Sequence, residues 1–525
     1  MKNFFERKFF MITRIKKYWC KAVCLLIALC MFWLFLPPLQ AQALSDSDSG
    51  TYGTLQWSVS DAILTISGTG EMEPAKNGAY PWKNCSYTEI TVEEGVTSIA
   101  AYAFSGDTKP DFTTPVITSV SLPETLTAIG DGAFLRTPIQ KITIPANVET
   151  IGKYPFQDCF RLEQITFLND LETVRSDFFV GCDFLWGVQL PETVTVIEDS
   201  AFADSVCDMI EVNLPSHLEY IGANAFARYA VAIPLVLPDS VTTIYDNSFG
   251  VCGTIIIGAG LQEIRSSSDH SSLQDVDALE EIQVSEDNPY FTAKDGVLYN
   301  KDMTVILDVA PEHEFPDGVL TIPATVTEIR TPITSSNVKS FAVEDGNPVF
   351  STENGILTDL THTQLLQFPN GSAESTCTIS APFTEIGAYA FYKTPLQRIT
   401  LSDSVTAIGE YAFAYSNLTA VFLPDTLQTI GASAFFQTQM KTACIPASVT
   451  TIGSQAFNGE QYLSLTFLHT KIAVIDTFAE DLSNCGIFYG YLGSPIADLF
   501  PNRFQQLTTS KGSTCGTSPD MVYDR

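Results

Sequence analysis

Few side chains in this 525-residue chain stand in arrangements that do chemistry. The first to weigh is LTAIGDGAF, Leu126–Phe134, where Gly130 and Gly132 form a G-x-G beside apolar residues. A glycine turn of this kind can bring backbone N–H groups up to a phosphate, but such a loop stands once, between a strand and a helix. The five histidines, His217, His270, His313, His362 and His469, are scattered, and none lies in H-x-H or H-E-x-x-H, so no metal site is expected. PEHEF sets Glu312 and Glu314 beside His313, in a turn where solvation accounts for the charge. No G-x-S-x-G elbow is present, and Cys515 in CGTSP has no histidine near it in sequence. With 60 acidic residues, any two could be named a glycosidase pair, so that signal selects nothing. The expectation is no catalytic residue, no cofactor and no metal.

The elements around LTAIGDGAF explain it better. Related stretches end in phenylalanine at Ser98–Phe104, Ala128–Phe134, Thr150–Phe156, Val196–Phe202, Tyr220–Phe226 and Thr243–Phe249. They recur at Glu385–Phe391, Ala407–Phe413, Thr429–Phe435 and Thr451–Phe457, with degenerate copies at Thr173–Phe179 and Val474–Glu480. Ile386, Ile408, Ile430 and Ile452 are each 22 residues apart. A period in the twenties with apolar positions in constant phase marks a solenoid. The full unit reads L-x-x-I-x-[LIV]-P-x-x-[LV]-x-x-I-G-x-x-A-F, as in Leu418–Phe435.

Each part of the unit has a physical reading. The alternating apolar positions form one strand per coil, and successive coils stack these into a parallel sheet. The proline ends the strand because it has no N–H to give the ladder. A turn and a short extended T-x-I follow. The glycine after it is expected to supply a backbone turn closed to most residues. Ala and Phe point inward, so that phenylalanine rings from successive coils form a spine, which accounts for 35 phenylalanines. Gly132 falls where other coils carry Tyr389, Tyr411, Asn224, Ser433 or Gln455, so the G-x-G reads as accidental. No coil buries its own apolar face, and stability needs the stack.

The repeated I-G-x-x-A-F with L-x-x-I-x-[LIV]-P resembles the BspA-like, or treponemal-type, bacterial leucine-rich repeats, from about Thr88 to Asp481. The resemblance implies a mainly β leucine-rich-repeat solenoid with 22–24-residue coils, β-hairpin inserts and end caps. It also implies a non-catalytic scaffold that mediates adhesion or protein or glycan contact. Gly53–Met72 looks like the family's β-rich opening segment, and Tyr489–Phe500 like its closing one.

The organisation expected is a signal peptide at 1–43, a β-rich N-terminal cap at 44–87 and repeat coils at 88–284. Two elongated repeats follow at 285–383, then coils at 384–481 and a closing segment and tail at 482–525. The elongated repeats, Ser285–Pro311 and Val343–Pro369, share [ED]-x-N-P-x-F followed by [DN]-G-[VI]-L. They read as long coils whose extra hairpin projects from the solenoid, either as a ligand contact or, with more weight, as variation of the scaffold. The leader combines basic residues, the apolar run Ala22–Pro38 and the small-x-small site Ala41–Ala43, as a secretory signal does; an uncleaved anchor is the alternative. No second apolar run has membrane-spanning length.

A net charge of −32 repels nucleic acid and anionic lipid and suits an extracellular protein. Twelve cysteines over this length are too sparse for a disulfide scaffold. Cys159 and Cys182 share a phase and, in adjacent coils about 5 Å apart, are within disulfide reach. Thr394 and Thr438 occupy the same slot elsewhere, which favours a slot that wants a small buried residue.

Outward positions of the stacked strands form the candidate ligand face: Lys141, Gln164, Gln189, Asn213, Val236, Ile256, Arg398 and Phe422. It is mostly small and neutral, with apolar spots at Val236, Ile256 and Phe422. Such a face suits an extracellular protein or glycan better than a phosphate. Self-association as a cell-envelope component, and a hydrolase site within the inserts, are the rival functions.

Overall fold

The computed structural model describes residues 48–75, 79–106, 116–185, 188–205, 214–231, 234–245, 248–265, 273, 276, 278–380 and 382–459. It also describes the strands Ser464–Phe467, Val474–Ile475, Phe488–Gly490 and Phe504–Gln506. The leader (1–43), Asn213 and most of the closing segment lie outside the described residues. Among those described there is no α-helix; strands and turns build a parallel β-solenoid of the leucine-rich-repeat kind.

Each regular coil contributes a strand to one main sheet. In Lys141–Ile144, Ile142 and Ile144 face the core while Lys141 and Thr143 face out. This strand runs parallel to Gln164–Phe167, with Lys141 opposite Gln164 and Ile142 opposite Ile165. The T-x-I segment does more than extend the chain. Its last two residues form a second parallel ladder, in which Ile386, Ile408, Ile430 and Ile452 stack in register. A 22-residue sequence period thus becomes a vertical column of buried isoleucines.

The phenylalanine spine is present. From Phe104 through Phe134, Phe156, Phe179, Phe202 and Phe226 to Phe249, successive rings stack with centroids 5.0–6.3 Å apart. A second run, Phe368, Phe391, Phe413, Phe435 and Phe457, stacks at 4.9–5.2 Å. Ala133, Ala390, Ala412 and Ala434 are fully buried beside the rings.

The glycines are used differently from the expectation. Gly130, Gly152, Gly409 and Gly453 do not adopt positive φ. They are glycine because a neighbouring coil passes too close for a side chain. A Cβ on Gly130 would lie 2.5 Å from the Ala101 nitrogen, and one on Gly453 would lie 2.4 Å from the Ala432 nitrogen. The left-handed turn residues lie instead two before and two after the spine phenylalanine. Around Phe134 they are Gly132 and Arg136, around Phe156 Tyr154 and Asp158, and around Phe413 Tyr411 and Tyr415. Gly132 therefore fills a left-handed site at low cost. Its lack of a side chain also lets Tyr102 and Tyr154 meet across it, hydroxyl to hydroxyl at 2.8 Å.

The slot three residues after the phenylalanine takes a small donor, not just a small residue. The Cys159 thiol donates to the Phe134 carbonyl at 2.9 Å, and the Cys182 thiol to that of Phe156 at 3.2 Å. Ser205 donates to Phe179, while Thr394 and Ser416 donate to the phenylalanine of their own coil. Cys159 and Cys182 are free thiols, and burial pushes both well above the usual thiol range.

Both elongated repeats carry the expected hairpins. Phe291–Lys294 pairs antiparallel with Val297–Asn300, and Phe350–Glu353 with Ile356–Asp359. Asp295-Gly296 and Asn354-Gly355 have the paired positive φ values of tight hairpin turns. The hairpins do not project. Leu298 packs into the core that begins at Leu55, while its neighbours Val297 and Tyr299 pack into a separate core that ends at Leu357. At the second hairpin, Phe350 and Leu357 belong to that middle core, while Ile356 and Leu365 pack with the third. Each hairpin is a wall between two hydrophobic cores, because a strand buried on both faces can serve one core with each. The expectation that the hairpins project is thus corrected: the first is buried through its apolar runs VLYN and VILDV, and the second through Phe350, Leu357 and Leu365.

The walls are pinned by the N-P motif. Asn288 is fully buried; its amide donates to the Gly258 and Leu261 carbonyls, and its oxygen accepts from the Tyr290 and Phe291 N–H groups, all at 2.8–3.0 Å. Asn347 makes the same four bonds to Pro323, Val326, Val349 and Phe350. The first strands of the chain show a related arrangement. Asp48–Tyr52, Leu55–Ser60 and Ile63–Gly68 form an antiparallel meander, and the last of these pairs parallel with Glu89–Val92.

Candidate functional site

Strand alternation turns the proposed face outward. Lys141 and Gln164 are exposed partners across one ladder, and Gln189 bridges to Thr166 beside them. Val236, 54% exposed, lies opposite the half-buried Ile256. Arg398 is exposed on the strand next to the one that carries the half-buried Phe422. Among the described residues these positions fall in three groups, on separate ladders of the main sheet. The ladder with Val236 ends at Glu281–Val284, just before the first hairpin, and the one with Arg398 begins at Thr376–Ile379, after the second.

One outward residue is something else. Cys444, assigned by alternation to the exposed side of Thr442–Ile445, is disulfide-bonded. Nothing in the repeat phase distinguishes it from the threonines at equivalent places.

A hydrolytic constellation in the inserts is present only in outline. Ser351 Oγ lies 3.5 Å from His362 Nε2, and Glu353 Oε2 lies 4.0 Å from His362 Nδ1. The Thr358 hydroxyl is nearer to Nδ1, at 3.1 Å, and takes the place a carboxylate would need. Two cavities lined by described residues, of about 120 and about 680 Å³, lie far along the chain from these residues, beside Trp82 and Thr137 and beside Glu124 and Glu149. His313 is occupied structurally, its Nδ1 2.9 Å from the Glu280 carbonyl and its ring packed edge-on against Phe315. Among the described residues no group of three or more His, Cys, Asp or Glu side chains could hold a metal. No helix among them is long and apolar enough to cross a membrane.

The strongest carboxylate perturbation is structural too. Burial pushes Asp359 up, but hydrogen bonds from the Thr361 hydroxyl, the Gln364 N–H and the Thr363 hydroxyl and N–H outweigh it. Together they lower its pKa to about 2. Asn300 does the same work in the first hairpin, accepting from the Thr304 and Val305 N–H groups.

One surface feature escaped the sequence reading. Tyr389, Tyr392, Tyr411, Tyr415 and Phe436 make a connected aromatic ladder over three successive coils. The recurrence of tyrosine two before Phe391 and Phe413 was its only signal in the sequence.

Comparison with solved structures finds repeat proteins of similar build. A leucine rich cell surface protein from Faecalibacterium prausnitzii is 18% identical, with 87% of this chain and 97% of that one covered and a TM-score of 0.35. A leucine-rich repeat protein from Bacteroides ovatus is 17% identical over 84% of this chain and 99% of its own, with a TM-score of 0.32. One from Eubacterium ventriosum is 20% identical over 79% and 95%, with a TM-score of 0.28. Among curated proteins none matches. The BspA type leucine rich repeat region matches in six copies, over residues 76–207, 205–304 and 368–509, which is more than half of the chain. With the stacked isoleucines, the phenylalanine spine and the close-approach glycines in view, the chain belongs to the BspA-type leucine-rich-repeat family.

Proposed function

We propose that this protein is a secreted or cell-surface binding scaffold that mediates adhesion, or contact with proteins or glycans of host or neighbouring cells. The observation that carries this reading is the division of labour in the coils. Buried thiols, hydroxyls and amides such as those of Cys159, Ser205 and Asn288 satisfy backbone carbonyls of the fold. The outward strand positions, by contrast, carry mostly neutral, basic and apolar side chains, with occasional acids such as Glu89 and Glu281. Stacked repeats create extended binding surfaces of this kind. The leader and the acid-rich composition support an extracellular location, as does the likeness to the Faecalibacterium leucine rich cell surface protein.

An array of extracellular proteins and glycans probed with the folded chain tests the proposal. Saturable binding to at least one component is expected. Uniformly blank arrays, with circular dichroism confirming the fold, would contradict it.

A further inference from the structure

The aromatic ladder is not a requirement of the fold. Tyr389 and Tyr411 stack at 5.2 Å with their planes 6° apart, and Tyr392 meets Tyr389 edge-on at 5.6 Å. Tyr415 is 47% exposed and stands edge-on to Tyr392 at 5.7 Å and to Phe436 at 5.4 Å. Tyr389, Tyr411 and Tyr415 all lie in the left-handed region, with φ of 58°, 50° and 58°. That conformation favours glycine and asparagine and costs other side chains on the order of 1 kcal/mol or more. Other coils meet the same positions with residues as different as Gly132, Tyr154, Asn224, Ser433 and Gln455, so the fold does not require tyrosine there. Three adjoining, partly exposed tyrosines at positions where other coils carry unrelated residues point to a use for the rings outside folding.

Resting on the binding-scaffold reading, we infer that this ladder docks a basic polypeptide segment, its arginine or lysine side chains set against the tyrosine rings. Two observations select that partner. The net charge of −32 repels anionic ligands and draws cationic ones, and the exposed Glu410 adjoins Tyr411 in the chain. The ladder also seats a cation of its own, because Lys393 Nζ lies 5.5 Å from the Tyr392 ring centroid. Tyrosine faces take such groups by cation–π attraction, and rigid tyrosines lose little entropy on binding.

The test uses the full chain and its Tyr411→Gly/Tyr415→Gly variant. Both glycines suit the left-handed turns, so the variant is expected to fold and to keep its melting temperature within a few degrees. Fluorescence anisotropy at physiological salt would follow a short labelled peptide of alternating arginine and serine. Parallel titrations would use its glutamate counterpart and a neutral glucan oligosaccharide. The expected result is binding of the arginine peptide only, weakened about tenfold in the variant. Equal affinity for the variant would overturn the ladder's role, since overall charge alone would then explain binding, and would leave the scaffold reading standing. Binding of the glucan in place of the peptide, lost in the variant, would overturn the choice of a basic partner. No binding of any probe would overturn the inference and leave the scaffold reading to the array.

Discussion

A single amide shows how tightly this fold accounts for its polar groups. Asn347 satisfies two carbonyls and two N–H groups where the second wall meets the preceding coil. Replacing it with alanine strands all four and should cost roughly 3 kcal/mol or more, read by urea denaturation. Phe134 has neighbours on both sides of the spine, at 5.4 and 5.6 Å. Phe134→Ala should destabilise by roughly 3–5 kcal/mol on the same assay. Asp359 gives a pH signature. Its folded pKa of about 2 lies below the ordinary 3.8, so its contribution is complete above about pH 4 and is lost as pH falls toward 2. Asp359→Asn, which copies the Asn300 of the first hairpin, should fold and should flatten that part of the acid limb in melting-temperature measurements. At this scale the inward phenylalanines were legible, because their period repeats many times. The left-handed residues were not, because Tyr154, Asp158, Ser200 and Gln455 share no side-chain property. What they share is a backbone angle.

Among the described residues the elements form three cores, one reaching from Leu55 to Ala310, one from Val297 to Leu357 and one from Leu365 to Leu465. In a repeat protein stability is a sum over neighbours, and a wall that breaks the stacking of spine rings weakens the coupling across it. Phe413→Ala should therefore reduce amide hydrogen-exchange protection between residues 365 and 465 and leave residues 55–282 nearly unchanged. A uniform loss of protection along the chain would show one cooperative stack. The coil period and the hairpin turns could be read directly, from isoleucines 22 apart and from Asp-Gly and Asn-Gly. The walls could not be placed by motif alone, since a hairpin that projects and one that divides a core begin with the same turn. The decisive sign was the apolar run on both faces of VILDV, which only a doubly buried strand tolerates.

For the whole molecule, charge and architecture act together. A solenoid with its thiols and amides spent on the backbone has its outer surface free for recognition. On the proposed reading, the net charge of −32 favours cationic partners over anionic ones. The candidate face was legible where strands alternate, as at Lys141 and Gln164, because period-two burial is a local property. Which outward residues stand side by side depends on how distant coils stack, which is a long-range property. The measurement closest to the central claim is the binding isotherm of the full chain on a surface coated with extracellular matrix, run beside His362→Ala and assayed for released product. Saturable retention, equal for both proteins and without turnover, is the predicted result. Failure to bind, or product release that disappears with His362, would contradict the account.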